Sequence, residues 1–387
     1  MHFFPSKLLI NILLVCGGVG LGLYALDVIE RQQRRNQESY VNHRSADSFP
    51  PALRVYDQEG DEYVFETEAI ETGESKAEDL RESNIPNILW TFWEGPENKV
   101  VQLCIDSWKH YHPGYDVIVL NKSNYMRYTD GSVDVDALPH SGDFVARYAD
   151  YVRCLVLAHN GGFWLDSSVI CHRPFTWVHA IQQATDAEFI GYYIDTGTHA
   201  EFLSYSPMVE NWFFACVPGS PFMQDWCREF VRTRDFPTIS AYLDNVKSHG
   251  THFNKIDSIG GGEYLTMHIA AQKVLQDQHR AAMAASSPSH ATVSNTHTSL
   301  ENLSAPTSPS TLLKYNLCFF SACAGPFSYL HRAGWDISTA VNRLVQEDTR
   351  RTYYQCPLIK LRGSERTTMD QYDISQQQRA FSHISAP

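Results

Sequence analysis

The sequence predicts an α/β domain built on a largely parallel sheet. Two patterns carry this. The first is a strand–helix–strand succession within about 35 residues. After Pro86, Ile88, Leu89, Trp90, Phe92 and Trp93 form a short apolar run that reads as a buried strand. Val101, Ile105, Trp108 and Tyr111 then recur at helical spacing, and His112-Pro113-Gly114 ends that helix. Tyr115–Leu120 (YDVIVL) is the second strand, and a βαβ unit of this length makes the two strands parallel. The second pattern is a long helix over about Asp143–Asn160, with Phe144, Tyr148, Tyr151, Val152, Leu155 and Val156 on one face. Gly161-Gly162 is its expected stop, and a short strand, Phe163–Leu165, leads directly into Asp166.

The chain has 387 residues and a formal net charge of −13, with 31 Lys and Arg against 44 Asp and Glu. Hydrophobic residues at 43% and charged residues at 19% describe an ordinary globular chain and exclude collagen-like or wholly disordered classes. The acidity is local: Asp57–Glu82 holds 11 acidic and two basic residues, a net of −9. A chain this acidic is a poor candidate for binding nucleic acid through a basic face, so no nucleic-acid partner is expected.

Five regions follow from composition. Residues 1–7 are a short tail. Residues 8–26 are 19 uncharged residues, long enough as a helix for about 28 Å, which suits one membrane anchor. A signal peptide is the second reading of that run, although Leu21, Leu23, Tyr24 and Leu26 fill the region where a cleavage site would lie. Residues 27–83 read as a polar, then acidic stem, and residues 84–366 as the folded domain. Within it, residues 281–311 are Ala/Ser/Thr/Pro-rich with one charge, Glu301, and predict a low-complexity insertion. Residues 367–387 read as a loose tail. Arg31, Arg34, Arg35 and Arg44 follow the apolar run while only Lys7 precedes it, so the charge flanks favour a cytoplasmic domain. Of nine cysteines, eight lie outside the apolar run, without CxxC or Cys/His ligand spacing, and read equally as buried thiols or disulfides.

The richest stretch is RYADYVRCLVLAHNGGFWLDSSV. Asp150 and Arg153 are i and i+3 on one helix and therefore neighbours. Asp166 ends the next strand, where α/β folds bind ligands. If extended, Asp166 and Ser168 face the same way. Taken singly, these residues read as a helical ion pair and a strand cap.

Together they resemble a family. Ala149-Asp150-Tyr151-Val152-Arg153 and Gly161-Gly162-Phe163-Trp164-Leu165-Asp166-Ser167-Ser168 resemble the signature of glycosyltransferases with a DXD sugar-binding region, most closely the capsular polysaccharide synthesis protein family. Ile85–Glu97 (IPNILWTFWEGPE), Glu210–Phe222 (ENWFFACVPGSPF) and Cys356–Leu361 (CPLIKL) are similar to further blocks of that family, in the same order. Two departures stand out: Ser168 occupies the second acidic position, and Arg362 replaces the threonine that usually follows the Lys-Leu pair.

The resemblance implies a GT-A type, Rossmann-like nucleotide-sugar-binding domain behind the N-terminal anchor. It implies a retaining transfer of a sugar from a nucleotide-sugar donor to a glycan or glycoconjugate acceptor, in a single-pass type II membrane protein of the Golgi or ER. That orientation conflicts with the charge flanks. By the same resemblance, Trp93 would stack on the base, and Asp150 and Arg153 would hold the donor sugar's hydroxyls. Asp166, with Ser168, would hold Mn²⁺ or Mg²⁺ against the diphosphate. Lys360 would neutralise the departing diphosphate, and Asn211 would contact sugar or acceptor. Asp166, Asp150 and Lys360 are the expected catalytic residues. The competing reading is a silent nucleotide-sugar- or glycan-binding partner of an active transferase.

Overall fold

The computed structural model describes residues 53–56, 83–259, 261–286, 314–346 and 356–381. The anchor expected at residues 8–26 lies outside them, as do most of the expected stem and insertion. Among the described residues, no helix is long and apolar enough to cross a membrane.

The strands are β1 Leu53–Tyr56, β2 Ile88–Phe92, β3 Asp116–Leu120, β4 Gly162–Leu165, β5 Val169–Cys171, β6 Phe189–Tyr193, β7 Val209–Cys216, β8 Leu317–Ser321 and β9 Leu358–Lys360. The helices are α1 Lys99–Tyr111, α2 Val145–Asn160, α3 Thr176–Thr185, α4 Pro221–Val231, α5 Ile239–Ser248, α6 Ile256–Ile259 and α7 Thr266–Ser286. They continue with α8 Ser328–Arg332, α9 Ile337–Val345, α10 Gly363–Met369 and α11 Ile374–Ala380. Seven strands form one sheet in the order β1-β8-β6-β7-β4-β2-β3, and β5 pairs with β9 separately.

The expected βαβ unit is β2–α1–β3, with β2 and β3 parallel and Ile88 opposite Asp116. Asn98 starts α1, its Oδ1 accepting from the Val101 amide at 3.0 Å. The chain then crosses to the other side of β2 through α2 and enters β4, also parallel to β2. The strand order therefore reverses between β3 and β4, which opens a crevice at the carboxyl ends of β2 and β4. The sheet is not wholly parallel: β7 runs antiparallel to both β4 and β6.

Alternation along the strands sorts side chains into two cores. Leu89, Phe163, Leu165, Phe213 and Ala215 pack with α1 residues Val101, Cys104, Ile105 and Trp108. Trp90, Phe92, Trp164, Phe214 and Cys216 face the opposite way, against α2 residues Tyr148, Tyr151, Val152, Leu155 and Val156 and against α4. Helices thus cover both faces. All eight cysteines in the described residues are buried free thiols.

Gly161 caps α2 at φ 65°, and a Cβ there would stand 2.6 Å from the Pro218 backbone nitrogen. At Gly162, φ 92°, a Cβ would meet the Ile88 carbonyl at 2.9 Å. Only glycine fits this turn, which carries the chain from α2 into the strand that presents Asp166.

Three expectations on extent change. Leu53–Tyr56, inside the expected stem, forms β1 and pairs in parallel with β8. Residues 281–286, expected in the insertion, prolong α7, because Ala-rich sequence favours helix. The tail begins as structure: α10 and α11 occupy residues 363–380, with Met369, Ala380 and Phe381 in the core.

Candidate active site

The glycine stop after α2, the end of β4 and the antiparallel β5–β9 strand pair bring the expected residues together. One cavity of about 790 Å³ at the carboxyl ends of β2 and β4 is lined by Trp93, Asp150, Arg153, Asp166, Ser168, Asn211 and Lys360. All seven expected site residues share it.

Asp166 is its centre. Arg153 donates to Asp166 Oδ1 at 2.7 Å, and the Trp164 indole donates to the same oxygen at 3.1 Å. Lys360 Nζ donates to Oδ2 at 2.8 Å. Burial pushes the Asp166 carboxyl up, but Lys360 and Arg153 outweigh it and hold the group below its ordinary value, so it is ionised. The Arg153 guanidinium also lies over the Trp164 ring, 4.7 Å from its centroid.

Lys360 reaches this point through the antiparallel β5–β9 strand pair, where Val169 stands opposite Lys360. The Leu361 amide donates to the Ser168 carbonyl at 3.0 Å, and the Tyr329 hydroxyl to the Lys360 carbonyl at 2.8 Å. Lys360 is only 6% exposed, so its backbone and stem are fixed. Residues 166–169 form a turn, not an extended segment, with the Val169 amide donating to the Asp166 carbonyl at 3.0 Å.

Asp150, nearly buried on α2, takes Arg153 at 2.7 Å and Asn211 at 3.0 Å, both on Oδ1. Its Oδ2 accepts no hydrogen bond among the described residues. Burial pushes Asp150 up to about 6, with the Arg153 charge opposing. Trp93, at the end of β2, is half-buried, and the Arg366 guanidinium faces its ring at 5.2 Å. Arg362 also lines the cavity, paired with Glu365 at 2.7 Å and 5.5 Å from the Trp335 ring.

These residues do not fit a divalent cation. Lys360 Nζ bridges the expected ligand pair, 2.8 Å from Asp166 Oδ2 and 3.0 Å from Ser168 Oγ. Ser168 spends its hydroxyl proton on the Leu361 carbonyl at 2.6 Å. Among the described residues, no group of three or more His, Cys, Asp or Glu side chains could hold a metal ion. The positive charge at this point belongs to the protein.

Sequence reasoning missed several lining residues. Glu210 belongs to the same block as Asn211, and nothing in its spacing sets it apart. His268, Trp212, Phe327, Trp335 and Arg366 arrive from separate elements, and only the fold unites them.

No curated protein matches the sequence. Among solved structures, a chain described as PaToxG glycosyltransferase is similar with a TM-score of 0.27 and 15% identity, over 50% of this chain and 87% of its own. Residues 60–235, which hold Trp93, Asp150, Arg153, Asp166, Ser168 and Asn211, match the profile of the capsular polysaccharide synthesis protein family.

Proposed function

We propose that this cavity binds a nucleotide-sugar and that the protein transfers the sugar to a hydroxyl of a glycan or glycoconjugate. One observation carries the reading: Arg153 and Lys360 converge on Asp166 at the crevice where the strand order reverses. A buried cation pair held by one carboxylate suits a diphosphate, which approaches the cations while the carboxylate keeps them in place.

In the transfer, the bond from the anomeric carbon to the diphosphate oxygen breaks, and its electron pair stays on the diphosphate. The acceptor oxygen bonds to the anomeric carbon and releases its proton. Charge therefore builds on the leaving oxygen, where Lys360, fixed before the reaction, stabilises it. Asp150 Oδ2 accepts from a hydroxyl of the donor sugar, while Arg153 and Asn211 hold the carboxylate still. Trp93 supplies a face for the base, with Arg366 beside it as a further cation. Anchoring through residues 8–26, in a Golgi or ER membrane, is part of the same proposal.

The test is a panel of nucleotide-sugars incubated with the full chain and read by mass spectrometry. Breakdown or transfer of at least one donor supports the reading. Donor binding without turnover in the presence of varied glycan acceptors supports the silent binding partner.

A further inference from the structure

Trp335 stands in a backbone conformation that its side chain does not favour. Its φ is 67°, directly after Gly334 at 61°, in the turn between α8 and α9. Among the described residues, the other non-glycine residues at positive φ are Asp186 and Asn254, short polar residues that tolerate this region. A bulky ring there is an outlier, and such strain gathers at binding sites, where the surrounding structure enforces it. The Trp335 amide, donating to the Leu330 carbonyl at 2.9 Å, helps to hold the turn. What the indole supplies there is a wall of the cavity. Phe327 and Trp212 continue that wall, with ring centroids 6.3 Å from Trp335 to Phe327 and 5.4 Å from Phe327 to Trp212. Phe327 and Trp212 are buried, whereas Trp335 is half-buried and keeps ring surface for a ligand.

The strand order fixes which end of the cavity this is. Trp93 follows β2, Asp166 follows β4 and Ile194 follows β6. Between β4 and β6 lies β7, antiparallel to both, so its first residues share this edge. Trp93 and Ile194 are therefore at opposite ends of the edge, with Asp166 between them, and all three line the cavity. A donor with its base on Trp93 and its diphosphate at Lys360 leaves the end beyond β4 for the acceptor. The aromatic wall stands at that end. Trp212 is on β7, and the loop that carries Phe327 is tied to β6 by the Ala322 amide, which donates to the Tyr193 carbonyl at 2.9 Å.

Arg362, where the chain departs from the family it resembles, flanks the Trp335 ring at 5.5 Å. Its Nε and Nη2 donate to Glu365 Oε1 at 3.1 Å and 2.7 Å, and Glu365 is fully buried. The guanidinium is thus fixed, and its Nη1 is left to donate to a ligand. A ring face beside a fixed donor suits a pyranose, whose C–H face packs on the ring and whose hydroxyls accept. The carboxylates of Glu94, Asp150, Asp166 and Glu210 equal in number the Arg and Lys side chains that line the cavity. The donor's diphosphate adds further negative charge, so a neutral sugar fits beside it better than an acidic one.

We propose that Trp335 and Arg362 form the acceptor subsite and select a neutral pyranose, which rests on the glycosyl-transfer reading. The experiment uses the wild-type full chain with Trp335→Asn, Trp335→Phe and Arg362→Met. Asn holds a positive φ without strain but has no ring. Methyl glycosides of glucose, galactose, mannose and glucuronic acid are titrated by ligand-observed NMR with UDP or GDP present, and nucleotide-sugars by calorimetry. At least one neutral glycoside binds wild type, and the glucuronide binds more weakly. Trp335→Asn weakens the neutral glycoside about ten-fold or more, as loss of a central aromatic anchor does. Arg362→Met weakens it about ten-fold, as loss of a charged donor does. Trp335→Phe, which keeps a ring, stays within about threefold of wild type. Nucleotide-sugar affinity stays within about twofold in every variant, which also shows that each is folded. Unchanged glycoside affinity in Trp335→Asn overturns the proposal, as does a preference for the glucuronide. A nucleotide-sugar loss in Arg362→Met as large as the glycoside loss overturns it too, by assigning Arg362 to the donor diphosphate. A wild type that binds no nucleotide-sugar removes the glycosyl-transfer reading and this inference together. A wild type that binds a nucleotide-sugar but no glycoside removes this inference alone.

Discussion

Lys360 Nζ stands 2.8 Å from Asp166 Oδ2 and 3.0 Å from Ser168 Oγ, although 194 residues separate it from Asp166. The ammonium therefore lies between the two side chains that a metal-using site would leave to its cation. In a site closed from water, such a fixed charge stabilises a developing anion without reorganising at the moment of reaction.

The first expectation is that chelation leaves transfer intact. Rates with excess EDTA stay within about twofold of rates with added Mn²⁺. Lys360→Ala removes a charge-assisted contact of about 1.5–3 kcal/mol, or roughly ten- to a hundred-fold in donor affinity. Transfer that stops on chelation and returns with Mn²⁺ contradicts this role.

Asp150 gives a pH dependence. Burial first, partly offset by Arg153, places its carboxyl at about 6. The groups that act on it are Arg153, Asn211, His268, Asp166 and Arg147. The ionised form is the better acceptor for a sugar hydroxyl, and its share falls as pH drops through about 6. Nucleotide-sugar affinity thus weakens on acidification, whereas the nucleotide diphosphate lacking the sugar is much less affected. Asp150→Asn lowers kcat/KM at least about ten-fold at neutral pH and flattens this dependence. Equal losses for sugar and sugar-free ligands would count against the assignment.

Asp166 also holds two buried cations in place. Its side chain is 28% exposed, whereas those of Arg153 and Lys360 are 5% and 8% exposed. Asp166→Ala leaves two buried cations side by side, and breaking a buried pair costs about 3–5 kcal/mol. Partial exposure of the carboxylate places the expected loss toward the lower end. Urea unfolding reads it directly. Removing one of the two cations as well, in an Asp166→Ala, Lys360→Met chain, should restore part of the loss.

The closing helices make a prediction about length. A chain ending at Arg366 lacks Met369, Ala380 and Phe381, all buried in the core that holds α1 and α9. Burying one large apolar side chain contributes about 1.5–3 kcal/mol. Such a chain should melt well below one ending at residue 387, or fail to remain soluble. Equal melting temperatures would show that α11 is dispensable.

Much of this was legible in the sequence because the signals were local. The β2–α1–β3 unit followed from apolar spacing and from the His112-Pro113-Gly114 stop. The α2–β4 turn followed from Gly161-Gly162, which the backbone requires at positive φ. The ionic cluster was legible as residues but not as a geometry. Lys360 comes from a strand whose antiparallel partner, starting at Val169, lies far earlier in the chain, and no periodicity announces that pairing. The antiparallel course of β7 was hidden because all eight of its residues are buried, which removes the alternation that marks a strand with one solvent face. Glu210 was hidden for the same reason, and only the fold brings it into the cavity.

The most direct measurement is calorimetric titration of the full chain with a panel of nucleotide-sugars, beside the Lys360→Ala and Asp150→Asn variants. The account requires at least one donor to bind wild type and to lose about ten-fold or more in affinity in each variant. The bare nucleotide diphosphate should be weakened by Lys360→Ala but not by Asp150→Asn. If no nucleotide-sugar binds wild type, or if the bound donor ignores both substitutions, the cavity around Asp166 is not a donor site.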